Sequence, residues 1–139
     1  MIIGCISLIN LISTVIIFLV GYYVFLKDPK KRPNLVFFLF SLAATLWQLG
    51  NFLLVKVFFP NYLEIREQIL RSSEGWLMLT IEDISWLGTA FLAPLYLHLS
   101  LLVSKQKDIL NRKIVQFFIY FFPSFIFISM LIYDFCFDL

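Results

Sequence analysis

The feature that most constrains this chain is an apolar run from Ile84 to Ser104 that contains no Asp, Glu, Lys or Arg. About 20 apolar residues in a helix are enough to cross the hydrocarbon core of a bilayer, which is roughly 30 Å thick. The run follows an acidic pair, Glu82 and Asp83, and ends before Lys105. It therefore predicts a membrane-spanning helix that enters from an acidic face and leaves into a basic one.

Three further apolar runs repeat this pattern, and the composition agrees with lipid as the solvent. Of 139 residues, 61% are hydrophobic and 14% are charged, whereas soluble proteins have about 45–50% apolar and about 25% charged residues. The sequence predicts an all-α polytopic membrane protein, a single membrane domain over residues 1–139 with four transmembrane helices. The predicted spans are about 2–26, 34–55, 76–104 and 114–133.

The first span is expected to be a retained membrane anchor rather than a signal peptide. The run from Met1 to Leu26 has no basic start, and it ends in bulky residues instead of a small-residue cleavage site. A turn with two prolines precedes the second span. Asn34, directly after Pro33, is expected to cap that helix.

The link between the second and third spans, residues 57–75, is the longest and least hydrophobic connection. Asn61 followed by Glu64 has the form of a helix start, in which the two side chains satisfy each other's free N–H groups. Ile65 and Ile69 then fall on one face, with charged residues elsewhere. The pattern predicts a short amphipathic helix lying in the membrane interface.

Lysine and arginine collect in two of the three connections, and this asymmetry predicts the orientation. Excess positive charge marks the cytoplasmic side of a plasma or bacterial inner membrane, so both termini and the 57–75 link are expected outside. The same charges are candidates to bind anionic lipid headgroups, although fixing the topology is their commoner role. These residues are Lys27, Lys30, Lys31 and Arg32 in the first basic turn, and Lys105, Lys107, Arg112 and Lys113 in the second.

The acidic pair of Glu82 and Asp83 is the first candidate for function. Ionisable residues inside a span are costly and usually bind a ligand, a proton or an ion. The charge-free span is already complete from Ile84 onward, so both carboxylates fit the outer headgroup level as well. If the helix starts at Trp76, Glu82 lies about two turns inside it, and the buried alternative is favoured.

Pro94 and His98 form a second candidate, a hinge with a titratable group. Proline cannot donate to the carbonyl of Ala90 and so loosens one helical turn. The alternative role of His98 is a neutral hydrogen bond between helices. No metal site or cofactor is expected, because this histidine has no partner ligands and Cys5 and Cys136 are predicted at the opposite face. Those two cysteines are expected to be free, with a disulfide as the alternative.

The second span has its own polar group, Trp47, Gln48 and Asn51. Gln48 and Asn51 share one face and suit hydrogen bonds between helices, with ligand contact as the alternative. A patch of small residues from Ser41 to Thr45 allows a neighbouring helix to approach closely. Trp76 and Trp86 are expected at the membrane interface.

The sequence contains no catalytic motif, so no enzymatic activity is expected. The basic residues stand beside membrane spans, which excludes nucleic acid as a partner and leaves the bilayer and other transmembrane helices. Three functions remain open: a sensory or receptor module, an accessory subunit of a larger membrane complex, and an oligomeric channel or transporter in which Glu82 and Asp83 form a cation-attracting ring.

Two stretches of the sequence favour the sensory or receptor module. One runs from Lys31-Arg32-Pro33-Asn34-Leu35 through Phe38 and the sequence FSLAATLW to Leu49-Gly50-Asn51. The other is Trp86-Leu-Gly88 with Phe91-Leu-Ala-Pro94-Leu-Tyr-Leu-His98-Leu-Ser. Over about residues 31–104 they resemble two consecutive helices of the seven-helix sensor region at the N terminus of bacterial histidine kinases, which also precedes diguanylate cyclases.

The resemblance implies an outward N terminus, a seventh helix that delivers a signalling domain to the cytoplasm, and a ligand groove between the second and third helices. The candidate ligand residues are then Trp47, Asn51, Glu82, Asp83 and Trp86, with Pro94 and His98 as the hinge. This chain departs from the family in having four spans and no kinase or cyclase residues. It is expected to be either the front portion of such a sensor or a free-standing four-helix relative.

Overall fold

The structure is a computed structural model, and it describes residues 2–54, 75–104, 106–110 and 112–137. The described residues form helices, and no strand occurs among them. The helices are α1 (Ile2–Lys27), α2 (Arg32–Leu53), α3 (Gly75–Val103), α4 (Lys107–Leu110) and α5 (Lys113–Phe137). The expected interfacial helix, Lys105 and the side chains of Cys5, Trp76 and Lys107 lie outside this described part.

Four of these helices, α1, α2, α3 and α5, are long and apolar enough to cross a membrane. The shortest of them, α2, has 22 residues, which makes it about 33 Å long at about 1.5 Å per residue. This confirms the predicted all-α fold with four transmembrane helices, and the protein is a multi-pass membrane protein. The pattern of apolar runs in the sequence did not predict the single helical turn α4 or the extension of α5 to Phe137.

The turn between α1 and α2 differs from its prediction. The N-cap is Lys31 and Pro33 lies in the first turn of α2, where a missing N–H is harmless because those donors have no helical partner. The expectation that Asn34 caps the helix is therefore wrong. Its Nδ2 donates instead to the carbonyl of Asp28 at 3.1 Å, and Lys31 Nζ lies 3.3 Å from Asp28 Oδ2.

The spans pack in chain order and do not close into a ring. Within the described ranges, the extended contacts between spans join α1 with α2, α2 with α3, and α3 with α5. In the most apolar stretch of α1 and of α5, 11% of the residues are buried in the protein, against 22% in α2. The α2–α3 pair is therefore the centre of the fold, and α1 and α5 turn broad apolar faces outward.

Small residues allow α2 to approach both of its neighbours. The predicted small-residue patch is buried, with Ser41, Ala43 and Ala44 each less than a tenth exposed. A Cβ built on Gly21 of α1 would lie 2.3 Å from the Cβ of Ser41. Close approach of backbones is how membrane helices gain contact where apolar burial provides no driving force.

The two ends of the helix array differ in charge. An apolar cluster that includes Val36, Leu102, Leu110 and Ile119 joins the start of α2 to the end of α3, to α4 and to the start of α5. We call this the basic end, because residues 27–32 and the described residues 104, 106–110, 112 and 113 lie there. The other end, where α2 stops at Leu53 and α3 begins, is called the distal end.

Candidate functional site

A cavity of about 330 Å³ opens between α2 and α3 near the distal end. We call it the distal cavity. It brings together carboxylate, amide, hydroxyl and indole groups within a mainly apolar helix pair. Its lining residues are Trp47, Asn51 and Leu54 on α2, and Glu82, Ser85, Trp86 and Thr89 on α3.

Helical spacing explains why these residues share one cavity. The α2 residues and the α3 residues each recur every three or four positions, so each set forms one stripe along its helix. The stripes meet where Gly50 lies against Ser85, since a Cβ on Gly50 would be 2.6 Å from the Cβ of Ser85. Ser85 Oγ also donates to the carbonyl of Trp47 across the interface, at 3.3 Å.

Four of the five candidate ligand residues line the distal cavity: Trp47, Asn51, Glu82 and Trp86. The fifth, Asp83, is half-buried and not part of the lining. Consecutive residues point about 100° apart around a helix with 3.6 residues per turn, and of the acidic pair it is Glu82 that lines the cavity.

Glu82 is the buried acidic group of the site. Only 9% of its surface is exposed, and it lies about two turns inside α3, which begins at Gly75. The protein itself therefore shields most of the Glu82 side chain from its surroundings. Glu82 and Asp83 each take part in a non-covalent interaction, as expected for a charge removed from water.

The remaining polar groups of the cavity are tied to their own helices. Asn51 Nδ2 donates to the carbonyl of Trp47 at 2.8 Å, and Thr89 Oγ1 donates to the carbonyl of Ser85 at 3.0 Å. The Nδ2 group of Asn51 is thus oriented by its own helix α2. Gln48 does bridge: Thr14 Oγ1 of α1 lies 3.0 Å from its Oε1.

A larger apolar groove of about 700 Å³ runs on from the cavity towards the basic end, between α1, α2 and α3. Trp47 belongs to both walls. Ser41 Oγ, one of the few polar atoms along the groove, donates to the carbonyl of Phe37 in its own helix. The groove residues are Ile16, Ile17, Val20, Phe37, Phe40, Ser41, Ala44, Trp47, Leu92, Ala93 and Tyr96.

The two hinge candidates lie at the contact between α3 and α5, away from the distal cavity. Helix α3 continues through Pro94, which lines a cavity of about 390 Å³ together with Pro123 of α5. His98 Nδ1 is hydrogen-bonded to the hydroxyl of Tyr120, also on α5. The His98 contact is of the interhelical kind that the alternative reading expected.

Sequence reasoning missed Ser85, Thr89 and Tyr120. The first two stand three and seven residues after Glu82, so the helical period that puts them on the same face as Glu82 was a signal for them. Tyr120 had no such signal, because it meets His98 only through tertiary packing.

Metal-binding chemistry has no support in the described part of the chain. No group of three or more His, Cys, Asp or Glu side chains that could hold a metal ion occurs there. Cys136 is an exposed free thiol.

Comparisons with protein-family models, with curated proteins and with solved structures found no match.

Proposed function

We propose that this chain is a membrane-embedded sensory module without catalysis of its own, which binds a ligand in the distal cavity and signals towards the basic end. The observation that carries the proposal is the convergence of Trp47, Asn51, Glu82 and Trp86 on one cavity. A ligand site in a protein is typically a concave, mainly apolar space with a few convergent polar groups. The likeness of residues 31–104 to histidine-kinase sensor regions supports the same function.

Helix α3 provides the connection between the two ends. It carries Glu82 and Trp86 at the cavity and reaches the basic end at Val103. Pro94 lies between them and removes one backbone hydrogen bond, so a change at the cavity can alter the angle between the two halves of α3. The bond from His98 to Tyr120 then passes the movement to α5.

The excess of Lys and Arg at the basic end supports an orientation with that end in the cytoplasm and with both termini outside. The test is thiol labelling in whole cells, in a background that carries Cys5→Ser and Cys136→Ser. We expect Thr80→Cys at the distal end to react with an impermeant maleimide and Ser104→Cys to stay protected. The reverse pattern would overturn this orientation and with it the direction of the signal.

Filling the cavity tests the function without knowledge of the ligand. Thr89→Phe adds bulk inside the distal cavity, whereas the same change at Thr80 is a matched control, since Thr80 is exposed on the same helix and is not part of the lining. We expect Thr89→Phe, and not Thr80→Phe, to change amide hydrogen exchange over residues 106–116 at the basic end. Equal exchange in both variants would contradict a sensory role for the cavity.

The second candidate function is an accessory subunit of a larger membrane complex, and the exposed face of α5 favours it. Phe117, Phe118, Phe121, Phe122 and Phe125 are each at least 45% exposed, and several of their rings stack along the helix. Either lipid or another helix can cover such a face. If a partner helix covers it, Phe121→Ala lowers thermal stability in native membranes more than in nanodiscs that hold the isolated chain. An equal loss in both settings would favour lipid.

A further inference from the structure

The distal cavity and the apolar groove are two parts of one path along the α2–α3 seam. On α2 the lining passes from Asn51 through Trp47 to Ala44, and on α3 it passes from Thr89 to Ala93. Because the lining residues follow one another in steps of three or four, they stay on one face of each helix. The polar cavity therefore continues directly into the groove, with Trp47 at the junction.

The character of this path changes along its length. At the distal end it holds a carboxylate, an amide and two hydroxyls, whereas the groove is lined almost entirely by aliphatic and aromatic side chains. The groove also opens towards the lipid, because Ile16 and Val20, two of the three α1 residues in its lining, are 54% and 48% exposed. A ligand that fills the path has a polar head and a hydrocarbon tail, and it enters sideways from the bilayer.

The cavity lining indicates the charge of the head. The two indoles of Trp47 and Trp86 offer the strongest side-chain surfaces for cation–π contact, and the buried carboxylate of Glu82 lines the same cavity. A carboxylate in a medium of low dielectric constant repels an anion and attracts a cation. A bare metal ion requires several oxygen ligands, and the described residues offer no such cluster. An organic ammonium ion requires only the aromatic faces and one counter-charge.

We propose that the ligand is a single-chain amphiphile with an ammonium head, whose head lies between Trp47, Trp86 and Glu82 and whose tail lies in the apolar groove. This rests on the proposed function of the distal cavity as the ligand site. From Glu82 to Tyr96 the path extends about 21 Å at about 1.5 Å per residue, which accommodates a head group followed by an alkyl chain.

The test uses dodecyltrimethylammonium as the probe, with dodecyl sulfate as the anionic amphiphile of the same chain length and tetramethylammonium as the head alone. The protein is placed in nanodiscs with Trp76→Phe, so that Trp47 and Trp86 are the remaining tryptophans of three. The readouts are tryptophan emission against probe concentration and the shift in thermal unfolding temperature. We expect saturable binding of dodecyltrimethylammonium at least about tenfold tighter than that of dodecyl sulfate at equal mole fraction in the bilayer.

Two variants test the head site. Glu82→Gln removes the charge at constant size, and we expect it to abolish the preference for the cationic probe over the anionic one. Because Glu82 is buried and already has a partner, this variant risks misfolding. Trp86→Leu is the second variant, since Trp86 is 48% exposed. We expect it to weaken dodecyltrimethylammonium roughly two- to tenfold, as reported by the emission of Trp47.

A matched pair of substitutions on α1 tests the tail site. Val20 lines the groove and Val15 does not, yet the two side chains are similarly exposed, at 48% and 51%. We expect Val20→Phe to weaken dodecyltrimethylammonium at least about fivefold by overfilling the groove, while tetramethylammonium binds as before. Val15→Phe should bind both probes like the parent protein.

The possible outcomes distinguish the proposed ligand, an ammonium amphiphile, from the proposed function of the distal cavity as a ligand site. Equal or tighter binding of dodecyl sulfate at Trp47 and Trp86 would overturn the cationic head and leave the distal cavity as a ligand site. Equal effects of Val15→Phe and Val20→Phe would overturn the tail site alone. If no probe binds, the ammonium amphiphile is wrong, and the proposed function is judged separately by the Thr89→Phe exchange experiment, which needs no ligand.

Discussion

Gly88 of α3 lies directly against the backbone of Ala43 in α2. A Cβ on Gly88 would stand 2.5 Å from the carbonyl oxygen of Ala43 and 2.6 Å from the amide nitrogen of Trp47. Both atoms are main-chain atoms, so no side-chain rotation relieves such a contact. This position fixes the distance between α2 and α3, the pair that forms both the distal cavity and the groove.

We expect Gly88→Ala to force α2 and α3 apart and to reduce stability by about 1–3 kcal/mol, the usual cost of overfilling a packed site. The measurement is the free energy of unfolding in bicelles, with Ala90→Ser on the same helix as a mild control. An unchanged free energy would mean that the two helices are held apart by other contacts.

The contact between α1 and α2 at Gly21 differs from that at Gly88, because a second substitution is expected to relieve the crowding that an added methyl group causes. There the neighbour is the side chain of Ser41, with its Cβ at 2.3 Å and its Oγ at 2.5 Å from an added Cβ. We expect Gly21→Ala to destabilise the protein and the double variant Gly21→Ala with Ser41→Gly to recover most of the loss, because the swap restores the missing space. Additive losses in the double variant would show that the two residues do not share that space.

The hydrogen bond between His98 and Tyr120 joins α5 to the rest of the molecule. We expect Tyr120→Phe to reduce stability by about 0.6 kcal/mol, the average from double-mutant cycles on hydrogen bonds between membrane helices, and by no more than about 1.7 kcal/mol. The effect should vanish in a His98→Phe background, which a double-mutant cycle measures. Tyr96→Phe is the matched control, since Tyr96 is 63% exposed and lies on the opposite side of α3 from α5. A cycle with no coupling would contradict the bond.

Pro94 is expected to leave one turn of α3 loosely held. Pro94→Ala restores a donor for the carbonyl of Ala90, so we expect slower amide hydrogen exchange over residues 90–97 in the variant. Pro123→Ala in α5 serves as a comparison, because both prolines face the same cavity but only Pro94 lies on the path from the distal cavity to the basic end. If exchange in α3 is unchanged, Pro94 is not a hinge.

The spans were predictable because a helix in lipid must be apolar over its whole length, and long runs such as Ile84–Ser104 have no other explanation. The resemblance to sensor regions implied that Trp47, Asn51, Glu82 and Trp86 belong to one site, and their spacing within each helix agrees with this. Residue spacing alone does not show that the Trp47–Asn51 pair faces the Glu82–Trp86 pair, because this depends on Gly50 and Ser85 meeting across the interface. Asn34 was misplaced for a local reason, since the sequence does not reveal that Pro33 lies inside the first turn rather than before it.

The central claim is that the state of the distal cavity reaches the basic end through α3. It is tested most directly by the distance between spin labels at Lys30→Cys and Ser104→Cys, in the background with Cys5→Ser and Cys136→Ser, measured by double electron–electron resonance in nanodiscs. We predict that Thr89→Phe shifts the main distance by about 2 Å or more, on the scale of helix shifts in switching proteins, and that Thr80→Phe leaves it unchanged. The same distance distribution in both variants and the parent protein would contradict the claim.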